Sequence, residues 1–96
     1  MMEKLAENIY KINVDSNVYF LDLKEKILID TGPSNYKNIV KEELQKLIPL
    51  DKIQKVIFTH LHYDHIGNFN LFPNAEFFAN EEEINYFKKH PIFAIG

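Results

Sequence analysis

Phe58-Thr59-His60-Leu61-His62-Tyr63-Asp64-His65-Ile66-Gly67-Asn68 is the stretch on which the reading of this chain turns. Four side chains of metal-ligand type, His60, His62, Asp64 and His65, fall within six positions, directly after the apolar run Val56-Ile57-Phe58. Imidazole and carboxylate at this density suit zinc or iron, whereas magnesium and calcium prefer all-oxygen surroundings. An extended backbone places residues i and i+2 on one side, so His60 and His62 can face one ion as a strand runs out. Asp64 and His65 are neighbours and would point apart on a straight strand. They converge only where the chain turns, and Gly67 with Asn68 supplies turn chemistry just beyond. The expected arrangement is a strand ending in a loop that carries two pairs of ligands. Each pair starts a separate metal site, with ions about 3.5–4 Å apart as in two-metal hydrolytic centres. A purely structural zinc site fits poorly, because such sites are commonly closed by cysteines and this chain has none.

Working outward, residues 53–59 read as a buried strand that delivers the motif at its C-terminal end, where open α/β sheets carry their sites. Upstream, residues 8–14 and 18–23 alternate apolar and polar side chains and form a hairpin around Asp15-Ser16-Asn17. Residues 26–30 are apolar on consecutive positions, the pattern of a strand covered on both faces. Thr31-Gly32-Pro33-Ser34 breaks that strand, with Ser34 or Asn35 expected as helix cap. Tyr36, Ile39, Val40, Leu44, Leu47 and Ile48 then recur at helical spacing, and Pro49 is expected to end the helix. Downstream, residues 68–72 read as a short helical turn and 75–79 as a fifth strand. Asn80-Glu81-Glu82-Glu83 predicts a capping box, Asn80 as cap and Glu83 reaching back to it. The helix it opens runs to about His90, with an acidic start and a basic end that suit the helix dipole. His90 precedes Pro91, so a helix-ending role is expected for it rather than ligation. The terminal Pro91-Ile92-Phe93-Ala94-Ile95-Gly96 is apolar and is expected to continue or to pack against something.

Ninety-six residues make at most one small domain, and 46% hydrophobic with 14% aromatic residues is enough for a core. The net charge of −3 comes from interspersed lysines and acids with no basic stripe, which argues against nucleic acid as a partner. No apolar stretch approaches the roughly 18 residues needed to span a membrane. The N-terminus lacks the apolar core of a signal peptide, and the absence of cysteine fits a cytoplasmic protein.

The motif itself carries a resemblance. Thr59-His60-Leu61-His62-Tyr63-Asp64-His65-Ile66-Gly67-Asn68 resembles the signature of the metallo-β-lactamase superfamily, His-x-His-x-Asp-His followed by x-Gly. Ile27-Leu28-Ile29-Asp30-Thr31-Gly32 is similar to that family's strand ending in Asp-Thr-Gly near the metal centre. The order of elements also agrees, and the resemblance covers residues 8–89 or so. It implies an α/β (α+β) fold, namely half of the family's αβ/βα sandwich: one mixed sheet with helices on one face. Residues 1–96 would be the N-terminal half of such a domain, since the family's remaining ligands lie downstream in longer chains. The resemblance further implies that His60 and His62 bind a first metal and Asp64 and His65 a second. Asp64 would orient the attacking water or hydroxide, and Asp30 would support the loop without binding metal. The implied cofactor is zinc, two ions per complete site, with iron or manganese as substitutes.

The function implied is metal-dependent hydrolysis of an ester, thioester, lactone or similar bond. The histidine at position 62 favours the hydrolytic branches, because the flavin-linked di-iron branch usually has glutamate there. Iron-dependent oxygenases of the family share the histidine and stand as an alternative. Two ligands per metal leave both ions under-coordinated, so a complementary C-terminal half or self-association is the expected partnership. A homodimeric interaction module or a non-catalytic metal-binding remnant is the alternative outside enzymology.

Overall fold

The computed structural model describes residues 2–89, apart from the side chains of Tyr63 and Phe87. The alternating segments near the N-terminus do pair as strands, with one more than the alternation predicts. Met2–Ala6 forms β1, Ile9–Val14 forms β2 and Ser16–Asp22 forms β3. Asn8 and Asp15 take positive φ at the two reversals, 65° and 70°, the left-handed conformation that Asn and Asp tolerate best among non-glycine residues. β1 is almost wholly exposed, so it has no buried alternation from which a sequence could reveal it.

Lys26–Ile29 forms β4, Lys55–Phe58 forms β5 and Glu76–Ala79 forms β6. The six strands make one mixed sheet in chain order, β1-β2-β3-β4-β5-β6. The first four pair antiparallel, and β4, β5 and β6 run parallel. Parallel neighbours need a crossover, and the segments that make it carry the helices.

The first crossover departs from expectation at both ends. Neither Ser34 nor Asn35 caps the helix. The chain enters through a 3-10 turn, Ser34–Tyr36, closed by Tyr36 N–H donating to the Pro33 carbonyl at 3.0 Å, and only then does α1, Lys37–Gln45, begin. α1 also stops short of Pro49. The amides of Leu47 and Ile48 both donate to the Leu44 carbonyl at 2.9 Å, tightening the last turn before the proline is reached. Val40 and Leu44 point into the core, as their spacing requires.

One face of the sheet is the core. Ile12, Val14, Val18, Phe20, Leu28, Val56 and Phe58 alternate along their strands and cluster with Val40, Leu44, Ile48, Ile53, Ile66 and Phe72. The opposite face carries no helix among the described residues, as the half-sandwich implied by the resemblance requires, although the consecutive apolar positions of residues 26–30 read as cover on both faces. Register aligns Tyr19, Ile29, Ile57 and Phe78 across β3, β4, β5 and β6 in one continuous row. Ile57 is 38% exposed and Phe78 43%. Helices therefore cover one face of an α/β sheet, and among the described residues an apolar row is left on the other. Each domain core needs two packed layers, and among the described residues this row has no second layer packed on it.

Candidate metal centre

The site stands at the C-terminal ends of the parallel strands. β5 ends at Phe58, so His60 and His62 lie beyond the strand rather than along it. His62 keeps an extended backbone (φ −111°, ψ 159°) and precedes α2, the single turn Tyr63–Ile66. The convergence of Asp64 and His65 is achieved by that turn of helix, with Gly67 closing it. The loop expected there is thus helical, stapled by His65 and Ile66 amides donating to the His62 carbonyl.

The four candidate ligands are neighbours. The rings of His60 and His62 stack at 6.0 Å between centroids, and those of His60 and His65 lie 5.0 Å apart. His65 Nε2 is 3.4 Å from Asp64 Oδ2. Among the described residues no three His, Cys, Asp or Glu side chains converge closely enough to hold a metal ion by themselves. The His60 ring lies nearer to His65 than to His62.

Beneath these pairs lies a polar floor centred on Asp30. Its side chain is almost wholly buried and its φ is 63°. A left-handed conformation at a non-glycine residue costs roughly 1–2 kcal/mol, and here three contacts offset it. Asp30 Oδ1 accepts from the Thr59 amide at 2.8 Å, and Oδ2 accepts from the Thr59 hydroxyl at 2.6 Å. Oδ2 also lies 2.9 Å from His65 Nδ1. A carboxylate only accepts, so Nδ1 carries the proton and donates. In the neutral imidazole this leaves Nε2, 3.4 Å from Asp64 Oδ2, as the nitrogen open to a metal ion. The Thr59 hydroxyl, having given its proton to Asp30, has lone pairs for His60 Nδ1 at 3.3 Å. The same logic frees Nε2 of His60.

Thr31 and Asn68 lock this floor to the motif. Thr31 donates twice to the His65 carbonyl, from its amide and its hydroxyl, at 2.7 Å each. Its hydroxyl accepts from the Asn68 amide at 3.1 Å, and Asn68 Nδ2 donates to the Thr31 and Pro33 carbonyls at 2.8 and 3.0 Å. Asn68 has no exposed surface at all. Ser16 Oγ donates to the Asp64 carbonyl, tying the β2–β3 hairpin to the same turn. Gly32 completes the strand exit. Its φ is 78°, so a side chain there is strained by the backbone, and a Cβ would also crowd Val14 Cγ2 at 3.0 Å.

The sequence reading names Asp30 as a support and leaves Thr59, Thr31, Ser16 and Asn68 without a role. Short polar side chains gain such roles only from the fold. Nothing in their spacing distinguishes them from turn residues. The capping box is half present: Asn80 Oδ1 accepts from the Glu83 amide at 2.8 Å, but the Glu83 carboxylate goes to the Leu61 amide at 3.0 Å instead of back to Asn80. The helix it opens is α3, Glu81–Lys89. His90 and the apolar terminus lie outside the described residues.

Comparison with known proteins agrees with this architecture. The family model described as Metallo-beta-lactamase superfamily matches residues 13–91. The chain belongs to that superfamily. A "Probable metallo-hydrolase" of Methanocaldococcus jannaschii is 41% identical over 61 residues, 62% of this chain and 30% of that protein. Among solved structures, a subclass B3 metallo-beta-lactamase of Bradyrhizobium japonicum superposes with a TM-score of 0.77 at 28% identity, over 85% of this chain and 33% of that one. A metallo-beta-lactamase of Cronobacter sakazakii gives a TM-score of 0.80 at 16% identity, covering 92% and 36%, a likeness of fold. The chain thus spans about a third of the length of the relatives it matches. Superfamily members are metallo-hydrolases, and the chain matches the part of them that carries the histidine motif. No helix among the described residues is long and apolar enough to cross a membrane.

The donor set fits a metal. The imidazoles of His60, His62 and His65 and the Asp64 carboxylate are borderline donors suited to zinc. At least one of them, His65, is backed by a carboxylate on its far nitrogen, the arrangement that raises ligand basicity and fixes ring orientation.

Proposed function

We propose that this chain forms one half of a metal-dependent, di-zinc hydrolase centre acting on an ester, thioester, lactone or similar bond. The observation that carries the proposal is the His65 Nδ1–Asp30 contact, which aims Nε2 toward the Asp64 side of the motif. His60 and His62 would hold one ion, and Asp64 and His65 the other. Bound zinc supplies Lewis acidity that brings a water toward ionisation near neutral pH and polarises the bond under attack.

The chain's own residues do the rest. Asp64, partly exposed, orients the water through its carboxylate. Asp30 and Thr59 hold His65 and His60 in the tautomers that leave Nε2 unprotonated. The remaining metal donors come from outside residues 2–89, in a complementary half or a second copy. The lack of any three converging donors among the described residues and the uncovered row Tyr19, Ile29, Ile57 and Phe78 both support that need.

The test is a hydrolysis screen on esters, thioesters and lactones, with and without added zinc, run alongside native mass spectrometry. Zinc-dependent turnover that disappears in His60→Ala and Asp64→Ala supports the proposal, whether it accompanies a dimer or requires an added complementary half. Turnover that persists in both variants, or that is indifferent to chelation, contradicts it.

A further inference from the structure

The Leu61 amide lies between His60 and His62, one residue from each, in a stretch where β5 has already ended. It therefore has no neighbouring strand to bond. Its partner is the Glu83 carboxylate at 3.0 Å, 22 positions away. Asn80 Oδ1 fixes the start of α3 by accepting from the Glu83 amide, so the carboxylate is delivered from a capped helix end. Tyr86, three residues on and hence on the same helix face, sets its ring edge-on to His62 with centroids 5.7 Å apart. Two side chains of one helix face thus meet the two-histidine segment, one on its backbone and one on a ring.

The sequence pattern would send Glu83 back to Asn80 in a capping box. Its use on Leu61 leaves that helix-stabilising contact aside. A hydrogen bond from a neutral amide to a carboxylate is shorter and stronger than one between neutral groups. Here it anchors a segment whose histidines have little hydrogen-bond support: His60 is exposed, and its one hydrogen-bond partner among the described residues is Thr59.

We infer that Glu83 is a positioning residue for the His60–His62 pair, acting through the Leu61 amide, with Tyr86 bracing the His62 ring. This rests on the metal-centre reading above. Glu83 touches neither metal nor substrate in this role. It sets the spacing of the two imidazoles.

The experiment compares the wild-type chain with Glu83→Ala, Glu83→Gln and, as an exposed control on the same turn, Glu82→Ala. Three quantities are read: hydrogen exchange of the Leu61 amide without metal, thermal melting without metal, and zinc affinity by competition with a chromophoric chelator. Loss of a group that orients a metal ligand typically weakens metal binding about 10–100-fold. Glu83→Ala is expected to speed Leu61 exchange and to weaken zinc by about tenfold or more. Glu83→Gln retains an acceptor and is expected to restore both, and Glu82→Ala to change neither. A role confined to docking α3 would lower melting without this selective effect on zinc and without rescue by glutamine. Unchanged zinc affinity in Glu83→Ala overturns the inference while leaving the metal centre intact, and so does equal loss in the Ala and Gln variants. A wild-type chain that takes up no zinc even with an added complementary half overturns the metal-centre reading and the inference together, an outcome read directly from the wild-type titration.

Discussion

The two halves of the metal motif are held in different ways. Asp64 and His65 sit on a floor of buried polar groups, where Asp30, Thr31 and Asn68 contribute hydrogen bonds to the segment from Thr59 to Asn68. His60 and His62 project past the end of β5 and are steadied from α3 by Glu83 and Tyr86. The floor is built into the folding core, so its geometry is fixed whenever the domain is folded. The rim depends on one helix of nine residues. Buried polar networks are costly when broken and rigid when complete. The contrast implies that one candidate pair is prepared by folding, while the other takes a single contact from the floor, Thr59 to His60, and the rest from a local clasp.

The contrast is broken most severely by Asp30→Ala. The change leaves Thr59 and His65 without their acceptor and puts alanine at a positive φ. Melting or urea denaturation should show a loss of about 3 kcal/mol or more, given about 1–3 kcal/mol for each buried group left unpaired. Zinc binding at the Asp64–His65 pair should fall with it. Asn68→Ala comes next. It removes the bonds to Thr31 and Pro33 and leaves a cavity, for an expected loss of about 2 kcal/mol by the same measurement.

On the rim the pattern should invert. His60→Ala changes an exposed side chain, so stability should stay within about 0.5 kcal/mol of wild type while zinc affinity drops sharply. A large stability loss in His60→Ala would mean that rim and floor are one unit. Ile57→Ser, on the uncovered sheet face, should likewise cost little stability in the isolated chain. It should weaken whatever association light scattering or native mass spectrometry detects.

The smallest effect concerns pH and lies away from the site. Glu43 is nearly buried on α1, and its carboxylate meets Lys46 Nζ at 2.5 Å. The hydrogen bond from Lys46 holds its pKa below the usual carboxylate value, against an opposing push from burial. A carboxylate whose pKa is lower folded than unfolded adds stability above its unfolded value of 4.5. That stability is lost as pH falls through the folded value. Glu43→Gln should therefore be slightly less stable at neutral pH, by under about 1 kcal/mol because Lys46 is exposed. The difference should vanish on acidification, as denaturation curves between pH 7 and 3 would show.

Much of this was legible in the chain itself. Consecutive apolar positions in 27–29 and 56–58 placed the parallel strands, and the histidine run placed the site at their ends. Pattern reading could not tell which face of those strands is covered, because both faces carry Ile, Leu, Val or Phe. It could not find β1, whose side chains are exposed. Nor could it find the floor. Thr31, Thr59 and Asn68 are brought to Asp30 and His65 by the parallel pairing of β4 with β5, a contact across about 30 positions that leaves no local periodicity. The pattern Asn80-Glu81-Glu82-Glu83 assigns Glu83 to a helix start, but where α3 docks decides its partner.

The most direct test of the account is a zinc titration of the chain followed by NMR of the histidine ring nitrogens. The account predicts that Nε2 of His60, His62 and His65 shifts with zinc, while Nδ1 of His65 keeps its proton toward Asp30. Zinc that shifts none of these nitrogens, or that binds His65 through Nδ1, would contradict the claim that the buried floor prepares the metal centre.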